Sequence, residues 1–204
     1  MTENNRVIIS GIAVSDAVFS HTSYGKNFYS FELKTPRLSE LSDFIIITAS
    51  GEMIKENGIH IGCKICVEGQ FRSYNNYTGQ GNKLLLTVYA KRIEPAFDDS
   101  FENMIELEGF ICKAVILRAT PLGREIADIL LAVNRTFNKS DYIPCIAWGK
   151  NAKYAARLSV GDKIKATGRL QSREYQKKLD EETAVTKIAY EVSITKIETD
   201  EGEA

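Results

Sequence analysis

The sequence predicts an all-β fold with short helices, in which two tandem copies of a five-stranded barrel follow one another along the chain. Two observations predict it: the chain repeats itself at an offset of 98 residues, and strand-like apolar runs alternate with glycine-containing turns within each copy. The 204 residues, of which 44% are hydrophobic and 26% charged, suffice for two small globular domains.

The internal repeat predicts the domain organisation. Gly11 is matched by Gly109, and the run Asp-Phe-Ile at 43–45 by Asp-Tyr-Ile at 141–143. The offset has grown to 104 at Glu94 and Glu198, which places about five additional residues in the loop before the last strand of the second copy. We predict a first, divergent domain over residues 1–97, a second over residues 101–198, and a short acidic tail over residues 199–204.

The elements of the two copies are predicted in the same order. The predicted strands are 7–20 and 104–118, 27–34 and 125–133, 44–50 and 142–148, a fourth pair that starts after Gly62 and Gly161, and 84–93 and 184–197. A helical segment at 151–158 places Ala152, Ala155 and Ala156 on one face, between the third and fourth strands of the second copy. Five strands with a short helix between the third and the fourth is the order of an OB fold.

The net charge of −1 hides an uneven distribution of charge. Residues 109–177 contain thirteen basic and five acidic side chains, so the rest of the chain is acidic. A basic segment of this kind is typical of a site for a polyanion, although a solvated basic face without a ligand predicts the same counts. On the predicted fourth strand of the second copy, alternate residues share one face that is largely basic and ends in an aromatic residue. These residues are Lys163, Lys165, Thr167, Arg169, Gln171, Arg173 and Tyr175.

Two aromatic residues, Tyr142 and Trp148, share one face of the predicted third strand of the second copy. Neighbouring cationic and aromatic side chains suit a single-stranded nucleic acid, because the cations follow the phosphates and every base has a face for stacking. Both residues also suit the barrel core, where most such aromatic side chains lie. The residue pattern alone leaves both interpretations open.

Several motifs of the second copy resemble those of the bacterial single-stranded DNA-binding proteins. They are Thr-Pro-Leu-Gly at 120–123, Ile-Leu-Leu-Ala-Val-Asn-Arg at 129–135, Ile-Pro-Cys-Ile-Ala-Trp-Gly-Lys-Asn-Ala at 143–152, Val-Gly-Asp-Lys-Ile at 160–164 and Gly-Arg-Leu-Gln-Ser-Arg-Glu-Tyr at 168–175. The resemblance covers most of the second copy and reaches the first copy mainly through the internal repeat.

The resemblance implies a set of nucleic-acid-binding residues. The base-stacking positions of the family fall on Phe137, Tyr142, Trp148 and Tyr175, and its phosphate or stacking partners on Arg135, Arg169 and Arg173. In the first copy, Phe44 matches Tyr142, and Arg72 and Tyr74 lie near the region that matches Arg173. Ser50 stands where Trp148 is expected, so we expect the first copy to bind more weakly or to serve partly in assembly.

The function implied by the resemblance is that of a non-enzymatic protein that coats and protects single-stranded DNA during replication, recombination and repair. The family commonly assembles four OB folds, which for two folds per chain implies a homodimer. A cytoplasmic, nucleoid-associated protein is expected, with replication or repair proteins as further partners. The acidic end of the chain lacks an aromatic or proline tip, which leaves partner recruitment through such a tip in doubt. The alternative is an OB-fold adaptor of a replication or plasmid-maintenance complex that acts mainly through protein contacts.

The sequence shows no pattern typical of catalysis, metal binding or a cofactor. Cys63 and Cys66 have the spacing of a metal pair, but they would face opposite sides of a strand, and the chain has only two histidines. No apolar run approaches the roughly 20 residues that a membrane-spanning helix requires, so we expect no membrane partner. The polar start of the sequence and four cysteines without a leader favour a reducing compartment.

Overall fold

A computed structural model describes residues 4–76, 84–97, 101–178, 184–199 and 202–203. The elements of the first half are β1 (Asn5–Ala13), β2 (Val18–Ser23), β3 (Lys26–Pro36), β4 (Ser42–Ser50), α1 (Gly51–Glu56), β5 (Lys64–Asn75) and β6 (Leu84–Pro95). Those of the second half are β7 (Asn103–Ile111), β8 (Ile116–Ala119), β9 (Glu125–Asn134), β10 (Ser140–Trp148), α2 (Gly149–Ala155), β11 (Lys163–Lys178), β12 (Ala184–Thr199) and β13 (Gly202–Glu203).

Each half closes into a barrel by the same set of strand pairings. In the first half, β1 pairs with β3 and β5, β3 with β4, β4 in parallel with β6, and β6 with β5. In the second half, β7, β9, β10, β12 and β11 repeat this ring, with β10 and β12 as the parallel pair. The prediction of an all-β chain with short helices and two tandem OB folds is confirmed. We call the two units the first and the second barrel.

Two glycines allow the longest strands to bend around their barrels. The register of β5 against β6 shifts at Gly69, and that of β11 against β12 shifts at Gly168. A Cβ atom at Gly69 would fall well inside contact distance of the carbonyl oxygen of Tyr89, and one at Gly168 would do the same to that of Ser193. Only glycine therefore allows the two backbones to approach so closely at these bulges.

The core consists of the inward-facing aliphatic and aromatic residues of both barrels. Alternate residues of β1 and β7 are fully buried, as at Val7 and Ile9 in the first barrel and at Ile105 and Leu107 in the second. This burial follows the period of two that a strand imposes on its side chains. Each barrel therefore has a hydrophobic interior, which determines the face of each surrounding strand that is directed inward.

The two barrels join edge to edge through an antiparallel pairing of β1 with β7, in which Val7 lies opposite Ile105. Asn5 is buried and makes two hydrogen bonds of 2.8 Å with the backbone of Phe71, and Asn103 makes the same two bonds with the backbone of Leu170. The matching contacts relate the barrels by an approximate twofold axis. The described strands consequently form one continuous sheet.

Some predicted element boundaries are wrong. The long first strands, predicted as 7–20 and 104–118, are each divided in two, after Ala13 and after Ile111. Helix α2 begins at Gly149 and ends at Ala155, earlier than predicted, and the first barrel also has a helix at the corresponding place. Within the tail, Gly202–Glu203 pairs with β12 as a short strand. No helix in the described ranges is long and apolar enough to cross a membrane.

Candidate nucleic-acid interface

A groove of about 700 Å³ lies where the two barrels meet. We call it the junction groove. Its walls include Phe44 from β4 of the first barrel and Trp148, Arg169 and Arg173 from the second. The structure therefore brings together four of the residues that the sequence predicts for nucleic-acid binding.

Trp148 lies at the last position of β10, where the strand passes into α2. Its side chain is 38% exposed, whereas the preceding Ala147 is fully buried, as the alternation of a strand requires. The backbone of Gly149 then adopts φ +54°, a conformation that suits glycine and turns the chain into the helix. An indole ring held at the end of a rigid strand is available to stack on a planar ligand.

β11 supplies two of the arginines of the groove, Arg169 and Arg173. Most of the predicted alternation is present, because Ile164, Ala166 and Leu170 are buried while Arg169 and Arg173 lie on the opposite, accessible face. Gln171, predicted on the accessible face, is buried. The guanidinium group of Arg173 lies over the ring of Tyr175, 5.8 Å from its centre. This part of β11 therefore presents cationic and aromatic groups side by side.

The first barrel contributes to the groove through a buried aspartate, Asp43, in an arrangement that we call the Asp43 clamp. Arg37 donates two hydrogen bonds to this carboxylate, at 2.6 and 2.8 Å. The backbone of Ser172 in the second barrel donates another at 2.8 Å, and the hydroxyl of Ser172 accepts one from the backbone of Phe44. The hydrogen bond with Asp43 raises the pKa of Arg37, which burial opposes. The clamp holds Phe44 and β11 in fixed positions on either side of the groove.

The approximate twofold axis generates a second arrangement around Asp141, the Asp141 clamp. Arg135 binds this buried carboxylate through two nitrogens and also donates to the backbone carbonyl of Ser73, at 3.0 Å. Ser73 in turn donates its backbone N–H to Asp141 and accepts from the backbone of Tyr142. Burial lowers the pKa of Arg135, but the hydrogen bond and the charge of Asp141 outweigh it and raise the pKa overall.

Further predicted residues lie around the Asp141 clamp rather than in the junction groove. The guanidinium group of Arg135 lies over the ring of Tyr74, 5.1 Å from its centre, and Arg72 is 3.4 Å from Asp141. Tyr142 is 48% exposed at the same place. This second cluster therefore contains arginines and tyrosines, but the charge of Arg135 is already engaged by Asp141.

Phe137 stands apart from both clusters. It lies in the loop between β9 and β10, 89% exposed, with a backbone φ of +61°. Such an exposed ring at a loop tip has no packing role in the described part of the chain, and is free to meet a ligand.

Two arginines of the groove, Arg37 and Arg124, were not predicted from the sequence, and neither was Glu191, which contacts the groove residues Gln171 and Arg173. Arg37 could have been found, because it precedes Arg135 by the repeat offset of 98. The repeat does not predict Glu191, because its contact with the groove depends on the strand pairing that places it opposite Gln171.

The described residues contain no cluster of three or more side chains of the kinds that bind metals. Cys63 contacts His60, with 3.0 Å between Sγ and Nδ1, while Cys66 follows on β5. Burial is the main cause that raises the pKa of the Cys145 thiol in the core.

Comparison with known proteins assigns the family. Residues 102–198 match the sequence model of the single-strand binding protein family. The single-stranded DNA-binding protein 1 of Streptococcus pyogenes is 34% identical over 96 residues, which cover 44% of this chain and 74% of that protein. The chain belongs to the single-strand binding protein family.

The family match falls on the second barrel. Single-stranded DNA-binding protein 2 of Listeria innocua is 36% identical over 96 residues, and the match spans 44% of this chain but only 60% of that relative's length. The crystal structure of the wild-type single-stranded DNA-binding protein from Thermus aquaticus resembles both barrels, with a TM-score of 0.75 over 96% of this chain and 92% of that one. At 21% identity, this likeness extends the shared fold to the first barrel.

Proposed function

We propose that the protein binds single-stranded DNA, with the junction groove as its main contact. The observation that carries the proposal is the meeting of Trp148 and Phe44 with Arg169 and Arg173 in one groove. The family assignment supports the same ligand. The protein acts by binding rather than by catalysis, and coats unwound DNA during replication, recombination and repair.

The chemistry of the groove suits a strand whose bases are unpaired. Trp148 and Phe44 offer faces to the bases, and stacking is worth roughly 1–3 kcal/mol per base without selecting a sequence. Arg173 and Arg124 supply positive charge along the walls, together with Arg169, whose guanidinium group lies 3.7 Å from the carboxylate of Asp43. A duplex, whose bases are already stacked, gains less from such aromatic contacts, so we expect a preference for single strands.

Titration with oligo(dT) tests the proposal, because Trp148 is the only tryptophan of the chain. We expect strong quenching of its fluorescence on binding. The logarithm of the affinity should fall by about 0.7 per neutralised phosphate for each unit rise in the logarithm of the salt concentration. Absence of quenching, together with no retention of labelled oligonucleotide, would contradict the proposal. Efficient capture of a helicase or primase without DNA would then favour the adaptor function.

We further propose that two chains associate to present four OB folds. The edge strands β2 and β8 support this, because each exposes a pair of large apolar residues that a partner could cover. They are Val18, Phe19, Ile116 and Leu117. Sedimentation should give twice the chain mass of 22.8 kDa, and a monomer at micromolar concentration would contradict this part of the proposal.

A further inference from the structure

A carboxylate lies beneath the cationic wall of the junction groove. Glu191 of β12 has a side chain that is only 13% exposed. Its Oε1 atom accepts a hydrogen bond of 2.6 Å from Nε2 of Gln171 and lies 3.8 Å from Nε of Arg173. Both partners line the groove. Glu191 therefore engages the residues that a bound strand would meet.

The fold does not require an acid at this position. In the second barrel Glu191 lies opposite Gln171, and in the first barrel the corresponding pair is Thr87 opposite Arg72. Thr87 makes neutral hydrogen bonds to Thr48 and to the carbonyl of Ile46. An uncharged residue, Thr87, occupies this position in the first barrel, so formation of the barrel does not require a negative charge there. The charge of Glu191 therefore acts on the groove and not on the stability of the barrel.

The charge of Glu191 reaches cations from both barrels. Arg173, in the second barrel, is its direct neighbour, and its side chain is 54% exposed and free to move toward a ligand. In the first barrel, the hydrogen bond with Asp43 is the main cause of the raised pKa of Arg37, and the charge of Glu191 adds to it. A negative charge so placed lowers the positive potential along the groove.

We propose that Glu191 limits the affinity of the groove for single-stranded DNA, by holding Gln171 and Arg173 and by opposing the approach of phosphates. This inference rests on the proposed function and adds to it a residue that sets the strength of binding. A bound phosphate has to displace Arg173 from Glu191 or share it. The groove therefore binds less tightly than its arginines alone would allow, which favours release of the strand.

The variant Glu191→Gln tests the inference, since it removes the charge while keeping the shape of the side chain. We expect its affinity for fluorescein-labelled oligo(dT) at about 0.1 M salt to rise about fivefold, the scale of one charge pair near a protein surface. The log–log salt dependence should steepen by about 0.7. In addition, Arg173→Ala should cost more affinity in the Glu191→Gln background than in the wild type, because Arg173 is then free to bind phosphate.

Glu198→Gln is the matched control. It removes the same charge from the same strand, seven residues further on, at a distance of about 23 Å. That distance exceeds the screening length of roughly 8–10 Å, so the control should bind as the wild type does. Thermal unfolding of each variant verifies the fold, and Glu191→Thr, which copies the first barrel, replaces Glu191→Gln if the latter is unstable.

The outcomes separate this inference from the proposed function. If the wild type binds oligo(dT) and Glu191→Gln binds equally well, the charge of Glu191 does not affect binding and the inference is wrong. If Glu191→Gln binds more weakly, Glu191 positions Arg173 for the strand, and the inference is wrong as well. If the wild type itself shows no binding, the proposed function fails and the inference fails with it.

Discussion

At the scale of single residues, Trp148 combines a rigid position with an accessible ring. It ends a buried strand, yet 38% of its side chain is exposed in the junction groove. We expect Trp148→Ala to weaken oligo(dT) binding by about 1–3 kcal/mol, the value of one stacked base, and Trp148→Phe to retain most of the affinity. Anisotropy of a labelled oligonucleotide measures all variants. Phe97→Ala, which removes an exposed ring outside the groove, is the control, and equal affinities for Trp148→Ala and this control would contradict the prediction.

The buried aspartates of the two clamps hold groups from both barrels, and their loss should reduce stability. Asp141→Ala would remove the carboxylate that accepts hydrogen bonds from Arg135 and from the backbone N–H of Ser73. Breaking a buried pair on one side typically costs about 3–5 kcal/mol, and we expect urea denaturation to show a loss of this size. The control is Asp128→Ala, whose pair with Arg118 is about half exposed and should contribute less than about 1 kcal/mol. A loss from Asp141→Ala no larger than that of the control would show that the clamp does not stabilise the fold.

At the scale of elements, the bulge at Gly168 determines how β11 passes beneath the groove. We expect Gly168→Ala to cost about 3 kcal/mol, because the new Cβ would press against the backbone of Ser193 and the strands would have to separate. Gly123→Ala is the control, since Gly123 has open space around it and only the conformational cost of φ +73°, about 1 kcal/mol. Thermal denaturation of both variants should rank them in this order. The reverse order would mean that the close approach at the bulge is easily relaxed.

The elements also show how far the sequence determines the structure. The order of the strands along the chain was predictable from the repeat, and most of the alternation along β11 was predictable from its period of two. The breaks after Ala13 and Ile111 were not, because they depend on the partner strands. At each break one partner, β5 or β11, begins, while the other, β3 or β9, continues and pairs with β2 or β8. The sequence also did not predict that the site residues divide between the junction groove and the surroundings of the Asp141 clamp, because this division depends on contacts between the barrels.

At the scale of the whole molecule, the two barrels share backbone hydrogen bonds, which couples their stabilities. The pairing of β1 with β7 and the reciprocal bonds of Asn5 and Asn103 would be lost if either barrel unfolded alone. Unfolding of one barrel would also leave Asp43 or Asp141 buried without its partner in the other. These penalties favour a single cooperative transition.

We therefore expect far-UV circular dichroism, which reports on both barrels, and Trp148 fluorescence, which reports on the second, to give coincident urea transitions. In the double variant Asp43→Ala with Asp141→Ala, the two probes should separate, because the remaining contacts couple the barrels more weakly. In each single variant, the separation between the two urea transitions should be larger than in the wild type and smaller than in the double variant. Two resolved transitions in the wild type would contradict the prediction, because they would show that the seam between β1 and β7 contributes little to the stability of either barrel.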